Sequence, residues 1–423
     1  MFSCVEWMLM GWSAVTACWW LVALALVWRE KSHLGIQNPS TFAKAMADKE
    51  SSIQNETSPT VTIFKPLPLL TSKIQHPASS PSTSLGTVLS LSKGSIQHPT
   101  TPLAQALESF VSQLDQQHDM LIGIEERDKT VWQPIFDEWR GKYPQARFQT
   151  VFQPKPTGVP NPKIAWQMQL APRATGTLWL WSDADIIAPP DFLRAICAEL
   201  EASGAKALTS PYVIRIVERA EGVLDALFVN IEFYPGVLLL RKRGPVSFAF
   251  GAATLFHANE FQRKVDWQKL GSALADDFEL GKLLGAVALG RATVETLPDQ
   301  ASWRESLQHY LRWHKTIRWC QPFGYAAQIS ILPVLGWMIF ILANSWNPVG
   351  WLGWLFTSQI ETLIALLICR LVGCRISPRW LWMIEGWTLL RPMVWLASWL
   401  PLPVKWGGDP RKWWKPTRSK QKA

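Results

Sequence analysis

Asp183 and Asp185 end the apolar run "LWLWSDADII", 178–187, and their types and spacing are the first sign of chemistry. Two carboxylates one residue apart repel each other, so a positive charge or a proton belongs between them. Such oxygen-only ligation suits Mg²⁺ or Mn²⁺ carrying a phosphorylated substrate, although the pair could instead cap a helix starting near "PPDFLRAICAEL". A second acidic pair, Asp276 and Asp277, sits in "LADDFELGKLL", 274–284, ahead of an amphipathic helix. Either Asp could cap that helix, or one could face a cleft as a general base whose pKa its neighbour raises.

A third stretch, "LQHYLRWHKTIRWCQPFGY", 307–325, puts Arg312, Lys315 and Arg318 on neighbouring helix faces with Trp313 and Trp319 between them. Two readings stand: cations that stabilise a departing diphosphate, or an interfacial helix with snorkelling Arg and Trp at headgroup level. The small residues of "FAFGAATLF", 248–256, either let a sugar approach the backbone or only pack a strand.

These residues need a scaffold. From 102 to about 320, helix-like "LAQALESFVSQL", strand-like "MLIGIEERD", a helix around "WQPIFDEWRGKY" and the strands "ARFQTVF" and "LWLWS" alternate. This order predicts a mostly parallel sheet with ligands at the carboxyl ends of its strands, where "LIGIEERD" and "LWLWSDAD" both become acidic. An island at 61–67, "VTIFKPL", reads as a first strand. Around it, 29–101 is rich in Ser, Thr, Pro and Gln and repeats "IQNP", "IQNE", "IQHP" and "IQHP", a low-complexity pattern without a core.

Both flanks are apolar. Residues 7–28 contain no charge and are followed by "REK", which predicts an uncleaved transmembrane anchor. Arg29 and Lys31 then favour a cytoplasmic following domain. Beyond 321, the segments 326–342 and 349–369 read as a membrane hairpin; 380–400, with Glu385, Arg391 and Pro392, reads as an interfacial or re-entrant helix pair. The expected order is therefore anchor 7–28, linker 29–101, catalytic domain 102–320, membrane and interfacial helices 321–404 and a basic cytoplasmic tail 405–423.

Composition agrees with a membrane-bound enzyme. The chain has 423 residues, 48% of them hydrophobic, and 26 Trp. Its net charge of +9 is concentrated in the tail "RKWWKPTRSKQKA", which fits anionic lipid better than nucleic acid. The six Cys are scattered without metal-ligand spacing or a disulfide framework, as in a reducing compartment.

The ordered set Asp128, "SDAD" at 182–185, "ADD" at 275–277 and "HKTIRW" at 314–319 resembles the inverting membrane glycosyltransferases with a D, D, D, (Q/R)-x-x-R-W pattern. Within them, the chain is most similar to the ceramide glucosyltransferase family and its bacterial hopanoid-associated relatives; "KPL", "NPK" at 161–163, "ALFVNIEFYPGVLL", "ASWRESLQHYLRW" and "VKWGG" extend the likeness. The resemblance implies a GT-A type, Rossmann-like mixed sheet domain, one N-terminal and about two C-terminal transmembrane helices, and a UDP-sugar donor with a lipid acceptor. It also implies an integral protein of the bacterial inner membrane with its catalytic domain in the cytoplasm. By the same resemblance Asp128 lies at the uridine end, Asp183 and Asp185 serve the metal and diphosphate, and Asp277 is the general base. Asp276 and Lys163 bind substrate, and Arg318 and Trp319 complete the catalytic set. Lys315 stands where the family has Gln or Arg, keeping the charge but losing the planar fork. The alternatives are a processive polysaccharide synthase, which needs more spanning helices, transfer to a polyprenyl phosphate, or a non-enzymatic scaffold.

Overall fold

The computed structural model describes residues 3–31, 59–67, 102–298, 302–344 and 347–401, with backbone strands at 405–406 and 409–413. The repeats of the 29–101 segment and most of the basic tail lie outside the described residues.

Among the described residues, ten strands precede the C-terminal helices: β1 (Val61–Pro66), β2 (His118–Glu125), β3 (Arg147–Gln153), β4 (Leu178–Ser182), β5 (Ile186–Ile187), β6 (Ala207–Thr209), β7 (Tyr212–Val213), β8 (Ala253–His257), β9 (Val287–Leu289) and β10 (Val294–Thr296). Seven form a mixed α/β sheet in the order β3-β2-β1-β4-β8-β6-β9, and β5, β10 and β7 form a small second sheet. In the large sheet only β8 runs against its neighbours; the other pairings are parallel. The reversal matters for the site. It brings the amino end of β8 beside the carboxyl end of β4, with Ser182 opposite Ala253.

β4 shows why the sequence reads as an unbroken apolar run. Leu178 and Leu180 point into a cluster with Leu107, Phe110 and Ile196, while Trp179 and Trp181 point to the opposite face among Phe256 and Phe261. Alternation along a strand covered on both sides makes every position apolar. The carboxylates begin where that cover stops.

Among the described residues, three helices are long and apolar enough to cross a membrane: Cys4–Glu30, Glu221–Arg241 and Pro348–Val372. A pair, Pro322–Ile331 and Pro333–Ala343, bent by 63°, would make a fourth. The first and third match the segments expected at 7–28 and 349–369. Two corrections and one further candidate follow. Segment 326–342 is broken at Pro333, which cannot donate to the preceding turn. The expected helix pair at 380–400 is one helix, Trp382–Trp399, that continues through Pro392. Glu221–Arg241, whose middle is a π-helical stretch at Phe228–Phe233, meets the length and apolarity of a span, yet most of it is buried against protein.

The helices share a buried ion pair. Arg391 Nη2 donates to both carboxylate oxygens of Glu361, each at 3.1 Å, and to Ile331 O at 2.7 Å, and both side chains are 2% exposed. Removing one partner leaves the other charge buried and unpaired. Glu361→Ala is expected to lower stability by about 3–5 kcal/mol, read as a fall in the heat-unfolding midpoint in detergent.

Candidate active site

The carboxyl edge of the large sheet gathers the chemistry. β1 delivers Lys65, whose Nζ donates to Ser182 Oγ at 3.0 Å and to the Asp183 carbonyl at 2.7 Å while lying 3.8 Å over the Phe110 ring. This fully buried lysine fixes the backbone on which Asp183 stands. Ser182 Oγ donates to Ala252 O at 2.8 Å and Asp183 N to the same carbonyl at 3.2 Å, tying β4 to the turn before β8. Thr209 at the end of β6 holds the other side of that turn, accepting from Phe250 N at 2.8 Å.

The helix Pro162–Leu170 starts at the same edge. Asn161 Oδ1 caps it, accepting from Lys163 N at 2.9 Å, and Asn161 Nδ2 donates to Asp276 Oδ1 at 3.0 Å. Lys163 Nζ then lies 2.6 Å from Asp183 Oδ1 and 3.6 Å from Asp276 Oδ2. Asp276 and Asp277 open the helix Asp276–Leu284, whose N-cap is Ala275, so neither Asp caps it from outside as one reading of "ADD" had it. Asp183 and Asp185 do not cap the following helix either; Asp191 holds that position before Phe192–Ser203.

Gly251 reports how closely these groups converge. A Cβ placed there would stand 3.0 Å from Asp183 Oδ2, 3.5 Å from Asp277 Oδ2 and 3.6 Å from Lys163 Nζ. The glycine in "FAFGAATLF" therefore leaves room at the site. Gly251→Ala crowds Asp183 and is expected to lower turnover by about 10- to 100-fold with little change in the unfolding midpoint, as steady-state kinetics and thermal melts would show.

Electrostatics follow from this crowding. Burial, then the adjacent Asp276, raises the Asp277 carboxyl to about 7 against the opposing pull of Lys163. Partial burial also lifts Asp183, with Lys163 opposing and Asp185 reinforcing. Burial alone would lower Lys163, but Asp183, Asp276 and Asp277 outweigh it and hold the ammonium above its ordinary range. Lys65 shows the opposite balance: burial brings it to about 7 although Asp185 and Asp183 pull upward. Tyr212, raised by burial and then by Asp277, Asp183 and Asp185, stays a neutral hydroxyl.

Four carboxylates, Asp183, Asp185, Asp276 and Asp277, thus share their surroundings with two lysines, Lys65 and Lys163. The excess negative charge and the hard oxygen donors of Asp183 and Asp185 fit a divalent cation. Among the described residues no group of three or more His, Cys, Asp or Glu forms a metal cage. Mg²⁺ needs none when one or two carboxylates hold it and substrate phosphates complete its shell.

The remaining expected residues stand on other elements. Asp128 is buried beyond β2 at the start of the helix Lys129–Lys142. β2 is two strands from β4, roughly 10 Å along the sheet edge. Arg318 and Trp319 lie in the last turn of the helix Trp303–Cys320. Burial and then the charges of Asp277 and Glu279 push its last residue, Cys320, up to about 12, which puts the helix end in the field of Asp277. Arg318 lies 5.2 Å over the Trp399 ring, and its buried Nε has no hydrogen-bond partner among the described residues. Trp319 is 46% exposed. Lys315 donates to Leu400 O at 2.9 Å at the end of the Trp382–Trp399 helix, beside the Trp399 ring that Arg318 covers.

That helix is more than an interfacial strip. Ser306, Tyr310, His314 and Lys315 are buried, Trp313 stacks on Phe228 with ring centres 4.5 Å apart, and His314 Nδ1 and the Tyr325 hydroxyl are 2.8 Å apart. Reading the residue pattern alone misses Lys65, Asn161 and Tyr212 as parts of the site. For Lys65 the signal was available: a lysine inside an otherwise apolar strand, "VTIFKP", has to spend its charge somewhere specific.

Residues 100–412 match the family model described as Glycosyl transferase family 21. No curated protein matches the chain.

Proposed function

We propose that this chain, which belongs to glycosyl transferase family 21 and is therefore a glycosyltransferase, moves a hexose from a UDP-sugar to the hydroxyl of a membrane lipid. The donor sugar is glucose or N-acetylglucosamine, and the acceptor is ceramide or a comparable lipid alcohol such as a hopanoid polyol. One observation carries this reading: Asp183, Asp277 and Lys163 converge on the space above Gly251, with Asp277 at about 7. A carboxyl held there is a base suited to a hydroxyl acceptor near neutral pH.

Asp277 takes the proton as the lipid oxygen attacks the anomeric carbon in line and inverts it. Lys163 meets the diphosphate on the side of Asp183, and Arg318 neutralises charge on departing UDP from the Trp303–Cys320 helix. Asp183 and Asp185 would hold Mg²⁺ or Mn²⁺, which when bound supplies positive charge to the diphosphate. Asp128 marks the uridine end, and Trp319 flanks the acceptor. The apolar helices keep this edge at the bilayer, so a soluble donor meets a lipid. Arg29 and Lys31 after the N-terminal helix support a cytoplasmic catalytic unit on a bacterial inner membrane. That unit extends from β1 and the 102–320 region, with 321–404 as its membrane part.

Mass spectrometry of lipids from membranes containing the chain, supplied with UDP-glucose or UDP-N-acetylglucosamine and with ceramide, hopanoid and diacylglycerol acceptors, tests the assignment. A monoglycosylated lipid from one pair is expected. Polymer, or a glycosylated polyprenyl phosphate, in its place would overturn it.

A further inference from the structure

A cavity of about 460 Å³ opens between the N-terminal helix and the Pro348–Val372 helix, walled by Ala14, Ala17, Trp20, Trp337, Phe356 and Ile360. Its Ser, Thr and Glu side chains are already engaged. Ser13 Oγ donates to Leu9 O at 2.9 Å, Thr16 Oγ1 lies 3.0 Å from Trp12 O, Thr357 Oγ1 donates to Ser13 Oγ at 3.1 Å, and Glu361 is held by Arg391. With those groups paired inside the protein, the cavity is built for hydrocarbon.

Two features say where that hydrocarbon comes from. Both helices are long and apolar enough to span a bilayer, and Leu352 and Phe356 beside the opening are exposed, so the mouth faces lipid. Trp20, at one end, also walls a second, smaller cavity lined by Glu232, His314 and Trp395. His314 belongs to the Trp303–Cys320 helix, four residues before Arg318, so Trp20 stands between the apolar cavity and a cavity walled by the helix that carries Arg318.

We propose that this cavity receives one hydrocarbon chain of the acceptor lipid while the acceptor's hydroxyl reaches Asp277. The proposal rests on the lipid-acceptor reading above. It makes chain length, as well as headgroup, a determinant of which lipid is used. Ala17, small and on the cavity wall, is the position at which length is limited.

The test uses the full chain in nanodiscs with UDP-glucose and ceramides of short, medium and long acyl chain. Ala17→Phe is expected to raise KM for the long-chain ceramide by about tenfold or more while the short-chain ceramide and the donor keep their KM values. Should that variant fail to fold, the wild-type protein gives a second measurement. A ceramide with a diazirine on its acyl chain is expected to label 10–20 or 349–361, and unlabelled ceramide, but not excess phospholipid, should suppress it. Labelling displaced equally by phospholipid, labelling confined to other helices, or a chain-length profile unchanged in folded Ala17→Phe overturns the proposal. Failure of the lipid-acceptor reading looks different: wild-type protein then glycosylates no ceramide of any length, and no hopanoid polyol or diacylglycerol offered in its place.

Discussion

Asp277→Asn is expected to reduce turnover by about 10²- to 10⁴-fold while the donor still binds. The amide keeps the shape of the side chain and its place in the first turn of Asp276–Leu284, but it cannot accept a proton from the attacking hydroxyl. Asp183, Asp185 and Lys163, to which the proposed function gives the diphosphate, remain. Calorimetric titration with UDP-sugar should therefore give a dissociation constant close to that of the wild type, beside a rate near background. Equal losses in binding and turnover would place Asp277 among the donor ligands. An active variant would mean that the acceptor needs no base, as with an acceptor that is already an anion.

Lys163→Met is expected to lower kcat/KM by about 10²- to 10³-fold and to move its pH dependence. Lys163 holds Asp183 at 2.6 Å and pulls Asp277 downward against burial and Asp276. The base works only when deprotonated, so kcat/KM of the wild type should fall as the pH drops through about 7. Removing the lysine raises the Asp277 pKa, and the acid limb moves to higher pH. Asp276→Asn removes the carboxylate that raises it, and the limb moves to lower pH. Opposite displacements in these variants, measured on free enzyme and low substrate, distinguish this cluster from a site in which the residues act independently. Displacement in the same direction would contradict the account.

Much of this arrangement was legible in the sequence because it is local. The strand "LWLWS" and its acidic end need only alternation and cover on both faces, and "VTIFKPL" announces itself by β-branching inside a polar, repetitive region. The alternating segments from 102 onward likewise give the parallel part of the sheet. Reversal of β8 does not follow from periodicity, which is the same in either direction. Yet that reversal is what brings Gly251 to Asp183. Asn161 could be read as a helix cap; its second bond, to Asp276, links residues 115 positions apart and has no local trace. The membrane part was harder for the same reason. Glu221–Arg241 reads as apolar in any environment, and only packing distinguishes burial in protein from burial in lipid. Lys315 has the charge of its motif, but its ammonium also donates to the end of a helix 85 residues later, at Leu400.

The most direct test of the central claim is the stereochemistry of a single transfer. The full chain in nanodiscs would be given UDP-glucose, Mn²⁺ and ceramide, and the isolated glycolipid's anomeric centre read by NMR. Direct attack by a lipid hydroxyl with Asp277 as base requires a β-linked product from the α-linked donor, formed by the wild type and absent with Asp277→Asn. An α-linked product would mean retention and a different set of reacting groups, and a β-linked product made equally well by Asp277→Asn would remove that residue from the chemistry.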